Sequence, residues 1–144
     1  LTGTDLRLSA CTLPVHDLDE ALAFYRDVLG FYRDVPGLDA RDGLEAAGTQ
    51  RVSVRPPTQP DVQIILEVPS THLSLPQADR QAIADLMANG HLGRLGFTTD
   101  NCDAAFEHIE ATGTEVMQEP INQPDGVRDC AFLDPSGNFL RITQ

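Results

Sequence analysis

Three short alternating runs carry the side chains best suited to chemistry: Gln63 to Glu67 (QIILE), Arg94 to Thr98 (RLGFT) and Phe139 to Thr143 (FLRIT). Residues i, i+2 and i+4 of a strand share a face. Gln63 is thereby matched with Glu67, Arg94 with Thr98, and Arg141 with Thr143. A planar guanidinium offers bidentate hydrogen bonds to a carboxylate, a phosphate or a polar carbonyl group. Glu67 is the candidate base, placed to take a proton while an arginine stabilises an enolate-like oxyanion. The alternative role for the arginines is structural, an internal ion-pair network tied to Glu67.

Other catalytic vocabularies are absent. There is no G-x-S-x-G elbow, no glycine-rich phosphate loop and no zinc-spaced Cys/His group. Carboxylate pairs such as Asp17 with Asp19, or Glu107 with Glu110, fall on helix ends or solvated faces. His16, His72, His91 and His108 are scattered over a strand end, a loop and a helix. Cys11, Cys102 and Cys130 are odd in number, widely spaced and set among apolar residues, which suits reduced, buried thiols rather than a disulfide framework.

The chain has 144 residues, 41% of them hydrophobic, enough for one compact domain over 1–144 and too few for a second. Ten basic residues against 22 acidic ones, with no basic stripe, argue against nucleic acid and anionic membrane surfaces as partners. No run approaches the roughly 20 apolar residues that span a bilayer. The opening LTGTDLRLSA lacks a charged-then-apolar signal pattern, so a cytoplasmic location is expected.

The elements that must position these residues read as two halves of one plan. Leu6 to Val15 alternates as a strand, and Asp17 with Glu20 makes a capping-box-like start for a helix that Gly30 stops. Short strands follow around Phe31 to Val35, Leu44 to Val54 and Val62 to Val68. The second half repeats this: a strand at Leu92 to Thr99, a helix from about Asn101 to Thr112, then strands near Glu115 to Gln118, Val127 to Leu133 and Phe139 to Thr143. Laying Asp17 on Asn101 aligns Leu18, Ala21, Leu22 and Tyr25 with Cys102, Ala105, Phe106 and Ile109. Between the halves, Ser74 to Gly90 reads as a connecting helix with Ser74 and Gln77 at its cap, packed on its own subunit or serving as a lid or dimer contact.

The terminal turn Asp134-Pro135-Ser136-Gly137-Asn138, its approach Gly126-Val127-Arg128-Asp129, and the capped helix after the first strand resemble the vicinal oxygen chelate superfamily. That superfamily includes glyoxalase I, bleomycin resistance proteins and extradiol dioxygenases. The resemblance covers nearly the whole chain. It implies an α+β fold of two βαβββ modules, about 5–70 and 91–144, whose curved sheets pair around a cavity, with the inserted helix at about 74–90 between them. Gln63, Glu67, Arg94, Thr98 and Arg141 would then share the concave face as ligand-binding residues. Asp134 and Asn138 would organise the turn through side-chain to backbone bonds.

Metal-dependent members take one ligand from the first and one from the last strand of each module. The register implied by the resemblance puts those positions at Ala10, Ile65, Arg94 and Arg141. None of these side chains can hold a divalent ion, so no metal and no cofactor are expected; a divalent metal would require a different register, with Glu67, His16 and His91 as its ligand candidates. The implied function is a homodimeric protein similar to the bleomycin-resistance type, binding or sequestering a small polar organic molecule. The alternatives are a metal-dependent lyase, isomerase or dioxygenase of the superfamily, or a metal-free acid/base enzyme using Glu67. Whether the protein is an enzyme stays open, as does pairing of the modules within one chain or between two.

Overall fold

The computed structural model describes residues 3–34 and 48–144. Strand β1 (Ala10–Pro14) leads into helix α1 (Leu18–Ala23). Asp17 caps this helix in extended conformation (φ −142°), its side chain accepting from the Glu20 N–H at 2.8 Å. Asp19 and Glu20 in the first turn complement the positive end of the helix dipole. The helix does not run on regularly to Gly30. A wider π turn at Phe24–Val28 follows it, and this turn buries two consecutive aromatic residues, Phe24 and Tyr25, which a regular helix would fan apart by about 100°. Gly30 then takes the left-handed conformation (φ 78°) that ends the segment.

Strands β2 (Tyr32–Arg33), β3 (Arg51–Arg55) and β4 (Gln63–Glu67) complete a mixed sheet in the order β1-β4-β3-β2. Helix α2 (Gln77–Ala88) connects the modules. The second module repeats the first with β5 (Arg94–Thr98), α3 (Cys102–Glu110), β6 (Glu115–Asn122), β7 (Arg128–Leu133) and β8 (Phe139–Thr143), in the order β5-β8-β7-β6. Asn101 caps α3 by accepting from the Ala104 N–H at 3.0 Å, as Asp17 does for α1. The two four-stranded sheets are not closed into a barrel.

Alternation decides what each sheet buries. Leu13, Val54, Ile64 and Leu66 of the first sheet pack beneath α1, while Cys130, Phe132 and Ile142 of the second pack beneath α3. Leu140 joins the first cluster, and Phe97 packs against both, so the core runs across the seam between modules. The rings of Phe31 and Phe97 meet there edge to face at 5.8 Å.

Several elements differ from expectation. The first strand starts at Ala10 rather than Leu6, because pairing with β4 begins at Ala10 with Gln63; Leu6 and Leu8 lie beyond it, 85% and 68% exposed. Ser74 does not cap α2; its hydroxyl bonds His72 Nδ1 at 2.8 Å, and Pro76 stands at the cap position. Strand β6 runs on to Asn122 through two register irregularities against β7. Cys102 and Cys130 are fully buried but Cys11 only partly. Val35 and the 44–47 part of the expected third strand lie outside the described residues. Helix α2 packs on its own chain: Arg80 donates to the Ser70 carbonyl at 3.3 Å, and Met87 is 4% exposed. Among the described residues, no helix is long and apolar enough to cross a membrane.

Candidate functional site

The face of the second sheet turned away from α3 gathers Arg94, Gly96 and Thr98 from β5, Phe139, Arg141 and Thr143 from β8, and Asp129 from β7. Strand pairing places Phe139 beside Arg94, Arg141 beside Gly96 and Thr143 beside both Thr98 and Asp129. The residues between them point to the core, which is why β5 alternates between exposed positions on this face and part-exposed ones on the other.

Arg141 and Asp129 are the most ordered part of this surface. Arg141 Nε donates to Asp129 Oδ2 at 2.7 Å, and Nη2 reaches the same oxygen at 2.6 Å. The other carboxylate oxygen, Oδ1, accepts from the side-chain amides of Gln118 at 2.6 Å and Gln123 at 2.9 Å. These two amides, and then Arg141, hold the Asp129 carboxyl below the usual carboxylate range, against the opposing effect of burial. The Asp129 side chain is 3% exposed and that of Arg141 47%, so the carboxylate is covered and the guanidinium presented.

Arg94 is held differently. Its guanidinium carbon lies 5.2 Å from the centroid of the Phe139 ring, a cation–π contact. Gly96 lies between Arg94 and Thr98, and a Cβ built there meets nothing within 4 Å. The strand floor between the two arginines is therefore open.

The first-module candidates fall on the corresponding face of the other sheet. Glu67 lies opposite Pro14 and Arg51, and Gln63 opposite Ala10. Gln63 is only 4% exposed and Ile65 8%, so this part of the face is covered. The Arg141 guanidinium is bound to Asp129 and not to Glu67. Arg128, by strand parity, points to the helix side, where it bonds Asp103 at 2.8 and 3.1 Å.

The pairings also fix the module equivalence. Ala10 and Gln63 pair as Arg94 and Phe139 do, and Thr12 and Ile65 pair as Gly96 and Arg141 do. Ala10 thus corresponds to Arg94, and Ile65 to Arg141. A methyl group, an apolar chain and two guanidiniums occupy the positions that the resemblance assigns to metal ligands, and these side chains do not fit a divalent cation. No group of three or more His, Cys, Asp or Glu residues among the described residues is arranged to hold one elsewhere.

Asp129, Gln118, Gln123 and Phe139 escaped the sequence reading. The signal for Asp129 was present: a carboxylate inside the otherwise apolar strand RDCAFL calls for a buried partner. The irregularities in β6 hid the partners, because they bring both Gln118 and Gln123 within reach of one carboxylate.

The turn Asp134 to Asn138 is structural, as expected, and joins the modules. Asp134 Oδ1 accepts from the N–H groups of Ser136 (2.8 Å) and Asn138 (2.9 Å), and Oδ2 from Asn138 Nδ2 (2.9 Å) and the Tyr25 hydroxyl (2.7 Å). Asn138 Nδ2 also reaches the Pro14 carbonyl at 2.9 Å, and Ser136 Oγ accepts from the His16 N–H at 3.0 Å.

A family model described as glyoxalase/bleomycin resistance protein/dioxygenase superfamily matches residues 7–142. Among solved structures, UcmS2 is similar at 28% identity and a TM-score of 0.81, covering 97% of this chain and 98% of its own. TnmS3, an antibiotic binding protein from Streptomyces sp. CB03234, is similar at 24% identity and a TM-score of 0.69, with 99% and 98% covered. A lactoylglutathione lyase from Agrobacterium tumefaciens shares the fold at 20% identity and a TM-score of 0.63, with 97% and 93% covered. No curated protein matches the chain.

Proposed function

The chain belongs to the glyoxalase/bleomycin resistance protein/dioxygenase superfamily, and on that premise we propose that it binds or sequesters a small polar organic ligand without a metal ion. The carrying observation is that Arg141 is pre-set by Asp129 and Arg94 laid on Phe139, at positions which, with Ala10 and Ile65, the resemblance assigns to metal ligands. Side chains fixed before the ligand arrives lower the entropic cost of binding. Arg94, Thr98 and Arg141 form the polar part of the site, with Gln63 and Glu67 on the matching face of the other module. A homodimer in the cytoplasm fits this reading, because the face of the second sheet that carries Arg94, Thr98 and Arg141 is exposed among the described residues and a second copy can supply the opposite wall.

The test is a binding screen by thermal shift and calorimetry, with antibiotic-like molecules first because TnmS3, of the same fold, is an antibiotic binding protein. The expected result is a ligand whose affinity is unchanged by a chelator and falls in both Arg94→Gln and Arg141→Gln. Binding or turnover that appears only after loading with manganese, iron, nickel or zinc overturns the proposal. Metal-free turnover that disappears in Glu67→Gln moves the protein to the acid/base alternative.

A further inference from the structure

We infer that the open face of the second sheet selects a planar aromatic monoanion, such as an aromatic carboxylate, with Arg141 on the charge, Arg94 and Phe139 on the ring, and Asp129 as the positioning residue. This rests on the proposed metal-independent site and names its ligand class.

All ten basic residues of the chain are arginine. Arg26, Arg55 and Arg128 are tied to Asp27, Asp34 and Asp103. Arg94 is different: it has no hydrogen bond or ion pair among the described residues, and its guanidinium lies against the Phe139 ring. A guanidinium stacked on one side keeps its other planar face available, and that face takes an aromatic ring well. Among the described residues the charge of Arg94 is also uncompensated, which matters in a chain of formal net charge −12. Arg94 is a positive spot on an acidic molecule.

Arg141 supplies direction. Two of its five N–H donors are used on Asp129, which leaves the remaining edge of the fork for a ligand oxygen. Asp129 cannot swing away, because its second oxygen is held by Gln118 and Gln123. The Arg141–Asp129 pair is formally neutral, so it offers oriented donors more than net charge, which suits a delocalised single charge better than a phosphate dianion. The residues lie one strand and two positions apart, a Cα separation of roughly 8 Å, which a fused ring bearing a carboxylate can bridge. Gly96, with open space above it, leaves room for the ring edge.

The experiment uses three probes of matched shape on the full chain by calorimetry: 2-naphthoate, its neutral amide 2-naphthamide, and the saturated decalin-2-carboxylate. Naphthoate is expected to bind about tenfold more tightly than either analogue, the scale of one desolvated cation–π or charge-assisted contact. Arg94→Gln should erase the preference over decalin-2-carboxylate. Arg141→Gln should erase the preference over naphthamide, an affinity ratio that a misfolded fraction cannot change because it lowers the number of sites instead, whereas Asp129→Asn, which unclamps Arg141 without removing its charge, should weaken both probes and keep the preference for the anion. Gly96→Val, a β-branched residue on an exposed strand position, should block binding and leave the fold intact. Equal affinities for all three probes, still blocked by Gly96→Val, overturn the ligand class and leave the metal-independent site standing. Naphthoate binding that survives Gly96→Val, or that requires added metal, overturns both. No measurable naphthoate binding overturns the inference.

Discussion

The Tyr25 hydroxyl donates a 2.7 Å hydrogen bond to Asp134 Oδ2, joining the π turn of the first module to the terminal turn of the second across 109 residues of sequence. Tyr25 is fully buried and Asp134 5% exposed, so the bond is shielded from water. Tyr25→Phe leaves a buried carboxylate one donor short and should cost about 1.5–3 kcal/mol. Urea unfolding should show a lower midpoint at an unchanged slope. Burial, and then the Asp134 charge, push the Tyr25 phenol well above its ordinary value. The folded protein therefore holds this proton more tightly than the unfolded chain. The contribution is complete below about pH 10, the ordinary tyrosine value, and is lost as pH rises from there toward the folded value. The alkaline decline should be shallower in Tyr25→Phe; an identical decline would place the loss elsewhere.

Asp129 predicts the opposite pH limb. Its carboxyl is held low by Gln123, Gln118 and Arg141, so the unfolded state binds the proton more readily. Its contribution is in place above about pH 4 and fades as pH falls through the lower folded value. Unfolding midpoints measured between neutral and acid pH should fall less steeply in Asp129→Asn than in the parent protein. Parallel curves would show that Asp129 does not contribute to the acid limb.

Two glycines of adjoining sequence give a sharp contrast. A Cβ at Gly93 would collide with the Asn138 side chain and stand 2.9 Å from Leu13 Cδ1, whereas one at Gly96 meets open space. Gly93→Ala should therefore destabilise by about 2–3 kcal/mol, while Gly96→Ala should change stability by no more than about 0.5 kcal/mol. Melting temperatures of the two variants decide this directly, and equal losses would contradict the packing at the seam.

The thiols should differ in reactivity. Cys102 Sγ lies 3.6 Å from Cys130 Sγ with both residues fully buried, and burial followed by the Cys102 thiol pushes Cys130 up to about 12. Native protein treated with a thiol reagent at neutral pH should label Cys11 alone, and slowly, because its own thiol is raised by partial burial. Unfolded protein should label all three. Rapid labelling of Cys102 in the native state would contradict the packing of α3 on β7.

Much of the fold was legible because it rests on local rules. Asp17 and Asn101 announce their helices, Gly30 and Gly113 end them, and the apolar spacing after each cap is the same. The register that equates Ala10 with Arg94 and Ile65 with Arg141 was also legible, since strand parity admits no slip of one residue without turning the face over. What stayed hidden depends on contacts distant in sequence. The Asp129 clamp arises from irregular pairing of β6, and the Tyr25 to Asp134 bond needs the π turn, which no periodicity in the helix signals. Gln63 and Glu67 have the right parity, yet burial of Gln63 is a property of what covers the sheet and not of the strand itself.

Elemental analysis of tag-free protein, after exposure to manganese, iron, nickel and zinc and removal of unbound ions, tests metal independence most directly. With Ala10, Ile65, Arg94 and Arg141 at the ligand positions, the protein should retain only traces of each metal, and the parent protein and Arg141→Gln should not differ. Near-stoichiometric retention of any one of them, lost on substituting Glu67 or His91, would contradict the account and return the protein to the metal-dependent branch of its superfamily.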